Sequence, residues 1–167
     1  NRQDVDFGFS WNAVTNVEGG DGTDNDAGTN RTVQGSLRQF IQNSNSYVGA
    51  NEMRFVPTVP TNQTGAGGSW WRLPINRPNE LPSMEDSFTT IDGRAWDFTD
   101  GTLLRNQNTG DMGEGGAVGT GPDAVVGTGD EHVLGTVERP ELEITDGGGT
   151  NRGLHVIGPN HIIRNTS

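Results

Sequence analysis

The sequence predicts an all-β chain of short strands stacked as rungs, with one short amphipathic helix laid over the first of them. Three observations lead to this. Apolar residues fall in small islands cut off by Gly, Pro and Asn, each long enough for a strand and too short for a helix. Only 29% of the chain is hydrophobic and its mean hydropathy is -0.65, which suits a narrow core rather than a broad one. One segment alone carries a helical period together with a helix-start signal.

Taken in order, Val5, Phe7, Phe9 and Trp11 alternate with polar or small residues, the mark of a strand with one apolar face. A second short strand fits 13–17. Residues 18–35 form a polar loop rich in Gly, Asp and Asn, and the helix follows over 36–46. There Ser36 and Gln39 have capping-box spacing, and Leu37, Phe40 and Ile41 fall on one face. Downstream the islands are Met53, Phe55 and Val56, closed by Pro57 and Pro60, then Trp70, Trp71, Leu73 and Ile75, then Phe88 and Ile91. Residues 97–138 are a Gly-rich excursion, with a small hairpin expected between 124–126 and 132–134. Leu142 and Ile144, Leu154 and Val156, and Ile162 and Ile163 then mark three strand-sized segments separated by turns, as rungs would be.

Composition narrows the partners. The net charge of -11 would repel a phosphate backbone, so nucleic acid is not expected. All 11 basic residues are Arg, which removes Schiff-base chemistry and a Lys base. There is no Cys, hence no disulfide and no thiolate metal site. No apolar run is long enough to span a membrane.

Few residues carry chemistry. Asp21, Asp24 and Asp26 are candidate calcium ligands, since oxygen donors in a turn suit a hard cation. The EF-hand spacing and terminal Glu are missing, however, and a solvated turn is the simpler reading. Glu85, Asp86 and Asp92 could supply the paired carboxylates of a glycoside hydrolase, although Asp92 sits in an Ile-Asp-Gly turn where Asp serves local hydrogen bonds. His132, His155 and His161 lack the spacing of a metal site, and His155, between Leu154 and Val156, is expected to face solvent. Trp70 and Trp71 are the candidate carbohydrate contacts. Adjacent strand residues face opposite ways, so at most one of them belongs to the core.

Several segments, in this order, resemble the start of bacterial secreted or cell-surface right-handed parallel β-helix proteins that open on a GSLRQ-type capping helix. They are GSLRQFIQNSN at 35–45, NEMRFVP at 51–57, LPSMEDSFTTIDG at 81–93, RPELEITDG at 139–147 and GLHVIGPNHIIRN at 153–165. The insert at about 97–138 departs from the family pattern. The resemblance implies the capped N-terminal portion of a parallel β-helix. Residues 1–57 would form the cap and first strand, and 58–167 the first rungs. It implies an extracellular or cell-surface location and a non-catalytic structural or adhesive role, as a fibre subunit or a piece of a longer β-helix. The alternative is a polysaccharide-binding module, or a polysaccharide lyase or hydrolase, on the same scaffold. No cofactor is expected beyond calcium. Expected partners are further rungs or neighbouring copies at the strand edge over 161–167, which no Pro or charged cluster covers, and glycans.

Overall fold

The fold is described from a computed structural model over residues 11–18, 33–76, 80–113, 115–148 and 153–167. Of the strand expected over Val5, Phe7, Phe9 and Trp11, only Trp11 is among the described residues, where it lies in a turn, and the acidic loop with Asp21, Asp24 and Asp26 lies outside them.

The described chain opens on β1 (Ala13–Val14) and α1 (Leu37–Ser46). The helix begins where the capping box places it. Ser36 is the N-cap in extended backbone, and its Oγ accepts the Gln39 N–H at 3.2 Å. Gln39 reaches back, but Oε1 accepts from Gly35 N–H at 2.8 Å, one residue before the cap. Gly35 is required there: its φ is +72°, and a Cβ would overlap the Thr15 side chain. Leu37, Phe40 and Ile41 are all buried, as the helical period requires. Ser36→Ala should therefore destabilise the chain by about 1 kcal/mol, read as a lower urea midpoint at unchanged slope.

Beyond the helix come β2 (Asn51–Glu52), β3 (Arg54–Phe55), β4 (Gln63–Gly65), β5 (Gly68–Asn76), β6 (Thr89–Asp92) and β7 (Ala95–Trp96). Then follow β8 (Leu104–Arg105), β9 (Asp111–Met112), β10 (Gly116–Val118), β11 (His132–Leu134), β12 (Val137–Glu138), β13 (Leu142–Gly148) and β14 (Ile162–Arg164).

Their pairing corrects the expected all-β parallel β-helix. The described strands form separate small sheets of two to four strands, in mixed orientation, together with one helix; no sheet closes and none runs on as a solenoid. Parallel pairing does occur in β1-β3-β7, in β2-β6-β14 and between β5 and β13. Antiparallel strands are added by local hairpins, β4 onto β5 and β8 onto β7. The reason is in the punctuation. Pro57 and Pro60 follow β3 closely, and the tight Gly-rich turn between β4 and β5 folds the chain straight back on itself, which favours local antiparallel pairs over long crossovers.

The Gly-rich excursion differs in detail too. β11 does pair in an antiparallel hairpin, but with β10 rather than with the 124–126 segment, and β12 pairs with β9. The segment around Val125 belongs to the connecting loop. That loop is organised by the Glu131 carboxylate, which accepts N–H groups from Gly127, Thr128 and Gly129. No sequence period announces a carboxylate used this way.

The core runs from the helix face to the paired strands: Val14, Leu37, Phe40, Ile41, Met53, Phe55, Trp71, Leu73, Ile75, Met84, Ile91 and Leu142. Phe55 meets Trp71 edge-on, with ring centroids 5.7 Å apart. β14 lies at the end of its sheet, paired only with β6 among the described residues, and Ile162 and Ile163 are exposed.

Candidate functional site

Three clefts adjoin one another through shared lining residues. The central one, about 240 Å³, is formed where β7 and β8 meet the approach to β13, and is lined by Arg94, Arg105, Glu138, Arg139, Glu141 and Asn165 among others. A second, about 270 Å³, shares Arg94 with it and is lined by Glu52, Arg54, Asp92 and Trp96. A third, about 300 Å³, shares Arg139 and Pro140 with the central cleft and is lined by Trp70, Asp111, Met112 and Glu143. The series thus carries a Trp in each outer cleft and planar Arg, Asn and Glu side chains between them.

Each outer aromatic is held in place. The Trp70 indole N–H donates to Glu143 Oε2 at 2.6 Å, and Arg72 donates to the same carboxylate through Nε at 2.7 Å and Nη2 at 3.1 Å. These bonds follow from the register of β5 against β13, which pairs Glu143 with Arg72. The Arg72 hydrogen bond, against a smaller effect of burial and with help from the Trp70 N–H, holds the Glu143 carboxyl below its ordinary range. Trp96 lies under the Arg54 guanidinium, whose Cζ stands 4.3 Å from the ring centroid.

Asp92 joins three elements. It ends β6, is only 4% exposed, and accepts from Arg94 Nε and Nη2, Arg164 Nε and Asn165 Nδ2 at 2.6 to 3.1 Å. Burial pushes its carboxyl up, but hydrogen bonds from Arg94 and Asn165 and the Arg94 charge outweigh this and hold the pKa at about 2. So committed, Asp92 ties β6 to β14 and is not free to act as an acid or base.

Glu141 has the opposite environment. It is 7% exposed, and Oε1 accepts from the backbone N–H of Gln107 at 2.8 Å and of Asn108 at 3.0 Å. Its Oε2 is buried with no hydrogen-bond partner among the described residues. Burial raises the carboxyl above its ordinary value and the nearby Glu138 adds to this, against the two N–H groups and Arg105.

The residues singled out in the sequence are distributed as follows. Trp71 is fully buried in the core, its indole N–H on Val59 O at 2.9 Å, so of the tryptophan pair Trp70 alone is placed to meet a ligand. Asp86 Oδ2 accepts from Asn51 Nδ2 at 3.0 Å and from the Thr89 hydroxyl, holding β2 and β6 together. Glu85 is exposed, and neither Glu85 nor Asp86 lines the three clefts. His155 is half-buried rather than solvent-facing: its Nδ1 lies 2.8 Å from Ser83 Oγ, because the Met84–Val156 bridge brings the two segments side by side. That pair lines none of the three clefts. Among the described residues, which include His132, His155 and His161, no group of three or more His, Asp or Glu converges as a metal site. The described residues include no helix long and apolar enough to cross a membrane.

Sequence reading missed Glu141 and the Arg105–Arg139 pair. Nothing in the local pattern announces that Glu141 is buried; it is buried because the 106–108 segment folds over it. No family model, curated protein or solved structure matches the chain.

Proposed function

We propose that this chain is an adhesive, non-catalytic part of an extracellular or cell-surface bacterial protein, and that it adheres by binding polysaccharide along the three clefts. The observation that carries this reading is the adjoining series itself, with Trp70 fixed in one outer cleft by Glu143 and planar hydrogen-bonding side chains in the centre. Sugars are bound by such sets: an aromatic ring covers the apolar face of a pyranose, while Arg, Asn and Glu pair with its hydroxyls. Three adjoining clefts suit a polymer better than a compact metabolite. Two of the cleft carboxylates favour binding over hydrolysis. Asp92 and Glu143 are each committed to arginines, and the pairing that glycoside cleavage needs is not formed by them.

A glycan array probed with the full chain and with Trp70→Ala tests the reading. Wild type should retain a defined polysaccharide class, and the variant should bind it at least about tenfold more weakly, the loss expected for one stacking contact. Retention of no glycan would overturn the proposal. Turnover of the retained glycan would replace it with an enzymatic one.

A further inference from the structure

We propose that Arg105, Arg139 and Glu141 form a carboxylate-reading subsite in the central cleft, so that the polysaccharide bound there contains an acidic sugar. This rests on the glycan-binding reading above and specifies its ligand.

The argument begins with charge. The chain as a whole carries -11, yet the central cleft gathers three arginines against Glu138 and Glu141. Arg94 is already neutralised, since its Nε and Nη2 both bond the Asp92 carboxylate. Arg105 and Arg139 form no ion pair among the described residues. Each is held instead by a backbone carbonyl: Arg105 Nη1 donates to Pro57 O at 3.4 Å, and Arg139 Nε donates to Asp111 O at 2.9 Å. The Arg105 guanidinium also stands over the buried Trp71 ring, 4.8 Å from its centroid. Both cations are therefore positioned by contacts that leave their guanidinium groups outside any direct ion pair among the described residues, although the Asp97 and Glu141 carboxyls feel the Arg105 charge. In an acidic protein two oriented guanidinium groups outside any direct ion pair and lining one cleft are suited to an anionic group, and a planar carboxylate is an anion that a guanidinium can bond in parallel, two-point fashion.

Glu141 decides when that anion is welcome. With Oε1 occupied by two N–H groups, a proton on this carboxyl resides on Oε2, the oxygen without a partner. Burial and Glu138 already raise the group toward its neutral form. Neutral, it removes one negative charge from the lining of the cleft. Ionised, it competes with the ligand for Arg105. The charged groups facing it are Arg105, Arg139 and Glu138, with Arg94 balanced by Asp92; none of the histidines lines the cleft. Uptake of an acidic sugar and protonation of Glu141 thus favour one another, because each lowers the cost of the other.

Calorimetric titration of the full chain with a galacturonate tetramer, an uncharged galactose tetramer and a sulfated tetramer tests this. The galacturonate should bind at least about tenfold more tightly than the other two. Its affinity should rise as pH falls from about 7.5 to about 5, a range in which the sugar carboxylate stays ionised. Glu141→Gln, which fixes the neutral form, should bind it tightly throughout and lose the pH slope. Arg139→Gln should weaken galacturonate about tenfold and leave any residual binding of the uncharged tetramer unchanged. Equal binding of charged and uncharged tetramers would overturn the subsite while leaving polysaccharide binding in place. A preference for sulfate would overturn the assignment to a carboxylate, and an undiminished pH slope in Glu141→Gln would remove Glu141 from it. Binding of no tetramer together with a blank glycan array would overturn both proposals.

Discussion

Trp71→Ala should unfold more of this chain than any other single truncation, lowering stability by about 3–5 kcal/mol. Trp71 is the largest fully buried side chain and sits where the pieces of the fold meet. Its edge contact with Phe55 joins β5 to β3, its indole N–H satisfies Val59 O, and its ring carries the Arg105 guanidinium. Truncation opens a cavity and strands a carbonyl, and a chain with so small an apolar share has little left to collapse into the space. The neighbouring Trp70→Ala is the control. Its ring lies on the cleft side, so its loss should cost about 1 kcal/mol or less, the scale of a partly exposed contact. Chemical denaturation of the two variants in parallel measures the contrast, and equal losses would contradict the assignment of Trp71 to the core and Trp70 to the surface.

Asp92→Asn should be the most damaging polar substitution, and its effect should depend on pH. The folded pKa of about 2 lies below the ordinary value of 3.8. A depressed carboxyl contributes stability that is fully present above the ordinary value and is lost as pH falls through the folded one. The difference corresponds to about 2 kcal/mol before solvent screening. Arg94 and Arg164 are each some two-fifths or more exposed, so about 1–2 kcal/mol is the expected loss near neutral pH. Wild type and Asp92→Asn should differ fully above about pH 4 and converge as pH falls toward about 2, because the Asn variant mimics the protonated acid. Denaturation midpoints measured across that window give the result. A gap that stays constant down to pH 2 would show that the loss comes from shape rather than from charge.

How far the molecule could be read in advance differs from element to element. The helix was legible because everything that makes it is local. Ser36 caps Gln39 three residues on, Gln39 bonds back to Gly35, and Leu37, Phe40 and Ile41 recur at the helical period, so the apolar face followed from spacing alone. The apolar islands likewise marked β3, β5, β6, β13 and β14, since alternation depends only on neighbours in the chain. The burial of Glu141, by contrast, was not legible. The backbone that buries it comes from Gln107 and Asn108, over thirty residues away, and nothing in the local pattern encodes that approach.

By itself, then, the sequence determined the identity of the segments: one capped helix, a set of very short strands, the residues able to form a thin core, and a net charge of -11. Which strand lies beside which was decided only by tertiary structure. Two- and three-residue strands carry too little side-chain information to choose between a parallel partner far off and an antiparallel one across a turn, so local hairpins such as β4–β5 and β7–β8 intervene among the parallel pairs and divide the whole into small mixed sheets. The clefts follow from that same pairing. Arg105 arrives on a hairpin strand, Arg139 and Glu141 on the approach to β13, and Asn165 just beyond β14, and only their packing brings these distant residues to one site.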